Sequence, residues 1–282
     1  MKKSILIILV AACVIVFIFG VGLFLLVMKK AISPGAKAIG VIEVTGPIYD
    51  SRDIIQQLKS LTKNPMVKGI LLRIDSPGGG VSASQEIYTS VKSAKAKGKK
   101  VVVSMGAICA SGGYYIACPA DVIVANPGTL TGSIGVIMEL PIIDELLKKL
   151  GVHFEVIKSK EHKDIGSPFR PLTDNERQLL NEMTADIYDQ FIQAISDSRK
   201  ISIEKIVPIA DGRIFSGRQA LALGLVDSLG SYEDAKIITA RLCGIAGEPQ
   251  IIKERVKFSF FKMVLGRSFY RLFFPIPLYL SN

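Results

Sequence analysis

Along this chain an apolar run gives way to a glycine-rich segment three times, and that recurrence constrains the fold more than any other feature. Gly69 to Asp75 (GILLRID) opens into SPGGG, and Lys100 to Ser104 (KVVVS) opens into MGAICASGGYYIA. Asp121 to Ala125 (DVIVA) is followed by PGTLTGSIGV, and Ala38 to Val44 (AIGVIEV) is a further strand-like run. Short apolar runs bounded by turn residues read as strands buried on both faces, the mark of a parallel sheet. Between them, Val81 to Lys97 and Ser111 to Ala117 read as helices. Thr173 and Glu176 form a T-x-x-E capping box ahead of Leu180, Met183, Ile187, Phe191 and Ile195 at helical spacing. Strand and helix alternate, so the expected class is α/β with a largely parallel sheet. In such sheets, sites lie in the turns beyond the carboxyl ends of the strands.

A second feature divides the chain. From Ser4 to Met28 there are 25 residues without a charge, held between Lys2-Lys3 and Lys29-Lys30. A helix of that length, rising about 1.5 Å per residue, exceeds the roughly 30 Å hydrocarbon core of a bilayer. The expectation is an N-terminal membrane anchor over residues 1–30 and a linker over 31–37; the alternative is a cleaved signal peptide. The net charge of +10 does not point to nucleic acid, because of where it sits. Residues 1–37 carry five lysines and no acid, and residues 251–282 carry six basic residues against Glu254 alone. The body, residues 38–250, is left without net charge. The tail, 251–282, interleaves Lys and Arg with aromatic residues, which suits a lipid headgroup layer. It suits equally a tail packed on the body or on a second copy. Four cysteines and two histidines, in no metal-type spacing, argue against a zinc site and a disulfide framework. Cys109 and Cys118 read as members of one helix, nine residues apart and so about 13 Å along its axis, too far for a bridge.

The glycine-rich turns hold the candidate chemistry. DSPGGG, residues 75–80, frees backbone N–H groups in a tight turn, as an oxyanion hole requires, and equally fits an ordinary strand-to-helix turn. Ser111 stands among small residues at the head of an apolar helix, with Gly112 and Gly113 after it. Such a hydroxyl lies near unpaired N–H groups, although a plain N-cap serine would look the same. Cys109 is a rival nucleophile that lacks a histidine partner to make a thiolate.

Taken together and in order, these segments resemble the signal peptide peptidase A family of serine–lysine peptidases. The matching stretches are GVIEVTGPI (40–48), IDSPGGG (74–80), ASGGYYIA (110–117), GTLTGSIGV (128–136), KSKEHKDIGSPFRPLT (158–173) and GRIFSGRQALALGLVDSLG (212–230). The resemblance implies a Clp/crotonase-like fold of repeated strand-strand-helix units over residues 38–250, preceded by one N-terminal transmembrane helix. It implies Ser111 as nucleophile, Lys163 as general base and Ser133 as the hydroxyl that orients the lysine. It places the oxyanion hole at Gly78 and Gly112. Lys160 stands where the family pattern has glycine. No cofactor and no metal are implied. Peptide substrates such as remnant signal peptides, a lipid partner and a homo-oligomeric ring are. The implied location is the inner or plasma membrane, single-pass, with the catalytic body on the periplasmic or extracellular side.

The implied chemistry is coherent on its own terms. A lysine base must be neutral, and its reference pKa is about 10.4, so work near neutral pH needs a drop of roughly three units. Burial among apolar groups supplies such shifts. Taken singly, Lys163 would be read as a solvated surface residue. His162, adjacent to Lys163 in an extended segment, would point the other way, and His153 within VHFEVI reads as structural. Two other functions compete: a catalytically inactive membrane scaffold, and crotonase-type chemistry on an acyl-coenzyme A thioester, which the same fold would permit.

Overall fold

The computed structural model describes residues 14–23, 37–254 and 278–280, and the chain divides into two units, Met1–Lys37 and Ala38–Asn282. In the first unit, residues 14–23 form a helix, α1. No helix among the described residues is long and apolar enough to cross a membrane. The anchor expected over residues 1–30, and the basic tail expected over 251–282, lie largely outside the described residues.

The second unit begins with β1 (Ala38–Thr45), α2 (Arg52–Lys63), β2 (Val67–Ser76), β3 (Gly78–Gly80) and α3 (Val81–Ala96). Then come β4 (Lys100–Ala110), α4 (Gly112–Ala117), β5 (Val122–Ala125), β6 (Leu130–Gly132) and α5 (Asp144–Lys149). The long α6 (Asp174–Arg199) and the short α7 (Ile203–Ile206) precede β7 (Ile214–Ser216), α8 (Gly217–Ala222), β8 (Ser228–Leu229) and α9 (Tyr232–Leu242). β9 (Gln250–Lys253) and β10 (Leu278–Leu280) close the chain. The main sheet runs β7-β6-β4-β2-β1-β9, with β5 also beside β4 and β8 beside β5. All its pairings are parallel except β6 with β7.

The apolar runs are continuous because both faces of these strands are buried, with side chains alternating between two cores. Ile39, Val41, Leu71, Val102 and Val124 pack on one side with Ala235 and Ala240 of α9. Ile42, Val44, Ile70, Leu72, Ile74, Val101, Val103 and Met105 join the larger core on the other side, with α2, α3, α4 and α6.

β4 does not end at Ser104, as its composition suggests, but continues to Ala110. Its first half, Val102–Ser104, pairs with β5, whereas Ile108–Ala110 pairs with β6. Against β2, Ile74 faces Met105 but Ser76 already faces Cys109, so β4 bulges at Gly106–Ile108. The Asp75 carboxylate fills the gap by accepting a hydrogen bond from Ile108 N–H at 3.1 Å. The small residues of MGAICA read as the approach to a helix because their partner, β6, lies twenty residues further on. Cys109 therefore belongs to β4 and Cys118 caps α4, so the single helix expected to hold both does not exist.

Candidate active site

The bulge carries the end of β4 to Ser111, which joins the strand to α4 with φ 53° and ψ −120°. This backbone conformation is costly for any residue with a Cβ, about 1–3 kcal/mol, and such outliers persist where the surroundings hold them. Here the surroundings are tight. Ser111 N–H donates to the Gly132 carbonyl at 2.8 Å, and the Ser111 carbonyl accepts from Tyr115 N–H at 2.9 Å. All six residues of α4 are buried, and Tyr115 packs between Tyr88 and Phe191 with ring centroids 5.2 and 4.8 Å away. Ser111 is fully buried, and among the described residues its Oγ has no hydrogen-bond partner. A buried hydroxyl left unpaired costs about 1–3 kcal/mol. Strain and an unsatisfied donor thus coincide at one residue.

Two of the other predicted positions adjoin it, and a third lies on β3, which packs against α4. Ser133 directly follows Gly132, the residue bonded to Ser111; it is 6% exposed, has φ 48°, and donates its N–H to the Arg213 carbonyl at 2.9 Å. Gly112 follows Ser111 as the buried first residue of α4. Gly78 sits in β3, beyond the end of β2, with φ 107°. Its N–H donates to Ser76 Oγ at 3.1 Å and its carbonyl accepts from Ile48 N–H at 2.7 Å. The next residue, Gly79, has φ 154°, and a Cβ there would lie 2.2 Å from the Ile48 carbonyl oxygen. Glycine is therefore required at 78 and 79, whereas a Cβ at Gly80 would meet only ordinary contacts.

Lys163 is not brought to Ser111 within the described chain. It lies on a 3-10 turn, Glu161–Asp164, with an exposed side chain, and no hydrogen bond among the described residues links it to Ser111 or Ser133. The turn itself is held firmly. Asp164 pairs with Lys158 at 2.7 Å and Arg170 at 2.8 Å, and Arg170 also pairs with the buried Glu176 at 2.6 Å. Hydrogen bonds from Arg170 hold the Asp164 carboxyl well below its usual range. Hydrogen bonding from Arg170, and then from Thr173, brings Glu176 down to about 2. Both halves of the capping box form: Glu176 N–H donates to Thr173 Oγ1 at 3.2 Å and Thr173 N–H to Glu176 Oε2 at 3.0 Å. The KSKEHKDIGSPFRPLT stretch is thus a lysine-bearing loop tied by ion pairs to the start of α6. Asp164 and Arg170 in that role escaped the sequence reading. The capping box was the available signal, since it marked Glu176 as a fixed carboxylate.

The remaining candidates are placed as follows. Burial pushes the Cys109 thiol well up and the Cys118 thiol up to about 12, which disfavours thiolate chemistry at either. His153 is exposed, not the structural residue expected, because VHFEVI forms neither helix nor strand and projects into solvent. His162 shares the 3-10 turn with Lys163, so the extended geometry expected of the pair is replaced by a tight turn. No group of three or more His, Cys, Asp or Glu side chains among the described residues is arranged to hold a metal. Ser133 also lines a cleft of about 650 Å³ with Val136, Tyr188, Asp211 and Arg213. A larger cleft of about 840 Å³, between α2 and α3, contains none of the predicted site residues.

Comparison with known proteins adds to this geometry. Residues 93–245 match the profile of peptidase family S49, and residues 38–125 match that of Clp protease. The Synechocystis sp. protease candidate slr0021 is 47% identical over 211 residues, covering 74% of this chain and 76% of that protein. The Methanocaldococcus jannaschii protease candidate MJ0651 is 36% identical over 271 residues, covering 90% and 86%. Serine protease SPPA, chloroplastic, of Arabidopsis thaliana is 32% identical over 207 residues, covering 73% of this chain and 30% of that protein. Fold and matches together define a serine protease with a Clp-like α/β body. The chain belongs to peptidase family S49, the family of signal peptide peptidase A.

Proposed function

We propose that this protein is a membrane-anchored endopeptidase that hydrolyses extended apolar peptides, remnant signal peptides among them, with Ser111 as nucleophile and Lys163 as general base. The observation that carries the reading is Ser111 itself: buried, strained and with an unpartnered Oγ. The exposed position of Lys163 favours a base supplied by a neighbouring copy. The segment leading to it presents Leu146, Leu150, Phe154 and Ile157 to solvent, the last at 95% exposure. Apolar exposure of this kind suits contact between copies, in keeping with a ring. The cleft lined by Ser133 gives an incoming lysine a route to the site.

In this mechanism neutral Lys163 takes the proton from Ser111 Oγ as the oxygen attacks the scissile carbonyl. The N–H groups of Gly78 and Gly112 steady the oxyanion, once Gly78 N–H turns from Ser76. Collapse expels the amine, which receives the proton from Lys163 and leaves an acyl-enzyme. Water, deprotonated by the same lysine, then frees the carboxylate product and restores Ser111. Ser133 holds the ammonium between these steps. Residues 4–28 anchor the chain by a single pass and the basic tail engages lipid, with the body on the periplasmic or extracellular side.

The test is hydrolysis of a fluorogenic apolar peptide by the full chain, by Ser111→Ala, by Lys163→Ala, and by the two variants assembled together. Each variant alone should be inactive, and the wild-type rate should rise with pH along one basic ionisation. An equal mixture should recover about a quarter of wild-type activity if neighbours share each site, and none if the pair acts within one chain. Full activity in Lys163→Ala would remove the lysine from the mechanism. An assembled wild type that neither cleaves peptides nor reacts with a serine-directed phosphonate would favour an inactive scaffold.

A further inference from the structure

Where the ladder between β2 and β4 is interrupted, side chains hold the strand instead. Pairing steps from Ile74–Met105 to Ser76–Cys109, so Gly106, Ala107 and Ile108 stand opposite Asp75 alone. A regular ladder would set residue 107 against Ser76. The two extra residues therefore draw Ser111 back along the strand by about 7 Å, at roughly 3.3 Å per residue. Two is an even number, so Cys109 still joins the core that takes Val101, Val103 and Met105. The backbone at the bulge is gripped from two directions. From β2, Arg73 Nη1 donates to the Met105 carbonyl and to Ser104 Oγ, both at 2.8 Å, and Asp75 Oδ1 accepts from Ile108 N–H at 3.1 Å. From the turn before β6, the buried Thr129 donates its Oγ1 hydroxyl to the Gly106 carbonyl at 2.8 Å. Arg73 and Asp75, two apart on β2, share the face that Leu71 presents to α9, and the Arg73 guanidinium lies 5.7 Å from the Tyr232 ring of that helix. The fit leaves no slack: a Cβ at Gly106 would lie 2.6 Å from Asp75 Cγ.

We infer that Asp75, together with Thr129 and Arg73, is a positioning residue for Ser111: these side chains fix the bulge, and the bulge sets where the serine hydroxyl stands. The inference rests on the proposed role of Ser111 for its functional meaning, whereas the grip on the bulge does not depend on that role. What is asked of Asp75 is an acceptor of short reach, because its partner is a backbone N–H, and an asparagine oxygen meets that need. Thr129 must supply a hydroxyl. Past the bulge, Ile108–Ala110 pairs with β6 and Ser111 N–H reaches the Gly132 carbonyl, so a loosened bulge shifts the segment that carries Ser111. A misplacement on the order of 1 Å at the reacting atom costs up to about 100-fold in rate.

Full-length Asp75→Ala, Asp75→Asn, Thr129→Val and Thr129→Ser test this. Valine keeps the shape of threonine and removes the hydroxyl; serine keeps the hydroxyl. Asp75→Ala and Thr129→Val should each lower kcat for a fluorogenic apolar peptide about 10- to 100-fold, with KM within about threefold of wild type. Asp75→Asn and Thr129→Ser should retain at least about a third of wild-type kcat. Unchanged kcat in either Asp75→Ala or Thr129→Val would overturn the inference, and so would an Asp75→Asn as impaired as Asp75→Ala. A second readout needs no catalysis. Cys109, just past the bulge, and Cys118, at the end of α4, are both buried in the same core. In Asp75→Ala and Thr129→Val, iodoacetamide should reach Cys109 at least about tenfold faster than in wild type while Cys118 stays protected. That selectivity separates a loosened bulge from an unfolded body. Equal gains at both cysteines, or gains at neither, would refute the grip. If no chain cleaves peptide while Cys109 alone opens, the bulge is held as inferred and the catalytic reading of Ser111 falls.

Discussion

Replacing Ser111 with glycine should make the protein more stable while abolishing catalysis. Two costs meet at this residue: a backbone at φ 53°, ψ −120°, and a fully buried Oγ without a partner among the described residues. Relief of the backbone is expected to return about 1–3 kcal/mol, and removal of the unsatisfied hydroxyl about 1–3 kcal/mol. Against these stand about 0.4–1 kcal/mol for the added freedom of glycine in the unfolded chain and a further loss of roughly 1 kcal/mol for the missing Cβ contacts. The net expectation for Ser111→Gly is a gain of about 2 kcal/mol, or roughly 4–8 °C in Tm for a body of this size. Ser111→Ala keeps the strain and loses only the hydroxyl, so it should gain about 1–3 kcal/mol. Urea unfolding of wild type and both variants, followed by circular dichroism, measures the series. The difference between Gly and Ala reports the backbone relief less what glycine loses in chain freedom and Cβ contacts, about 1.4–2 kcal/mol together. A glycine variant about 2 kcal/mol less stable than alanine would mean that Ser111 is not strained. A glycine variant less stable than wild type would refute the argument altogether.

Further outcomes follow from the surrounding residues. Arg170→Ala leaves Glu176 buried without its cation and frees Asp164, so stability should fall by about 2–3 kcal/mol. Activity should also fall, because the loop bearing Lys163 is released; denaturant unfolding and peptide hydrolysis check the two effects. A carboxylate whose folded pKa is depressed favours the folded state when ionised. Glu176, brought from 4.5 to about 2, therefore contributes stability above about pH 4.5 that is lost as pH falls towards 2, with Asp164 acting in the same direction. The Tm gap between wild type and Arg170→Ala should close across that window, and a gap independent of pH would count against the ion-pair account. Gly132→Ala sets a Cβ 2.6 Å from Phe215 Cδ2 at φ 80°, and should cost about 1–3 kcal/mol while shifting the carbonyl that holds Ser111. Its kcat should drop more than tenfold. In native protein, iodoacetamide should modify the partly exposed Cys243 well before the buried Cys109 and Cys118, as read by peptide mass mapping.

The parts of the fold that were legible in the sequence are those in which one residue reports on its near neighbours. The doubly buried strands β1, β2 and β5, helix α3 and the capped start of α6 all follow from local composition and spacing. The second half of β4 did not, because its partner β6 is distant in sequence and its small residues suit helix and strand alike. At the site, the glycine-rich turns marked the stretches around Ser111, and the roles proposed for Ser111, Ser133, Gly78 and Gly112 rest on a family pattern. Strain at Ser111 leaves no compositional trace, since the same letters spell a plain N-cap. The pairing of β10 with β3 was equally invisible: three apolar residues after two prolines carry no sign of a partner two hundred residues earlier. The ties from Asp164 to Arg170 and Glu176 depend on a loop fold that no periodicity records.

The strand that serves two neighbours has a consequence for how such a protein can change over time. Pairing with β5 and then β8 belongs to the half of β4 buried in the body, whereas pairing with β6 and β7 belongs to the half that ends at Ser111. The bulge at Gly106–Ile108 is a joint between them. Drift in β5 and β8 is absorbed on the near side of that joint, while the antiparallel pair of β6 and β7 is free to reshape the rim of the cleft around Ser133. Selection for a new peptide and selection for a sturdier body can therefore act on different residues of the same sheet.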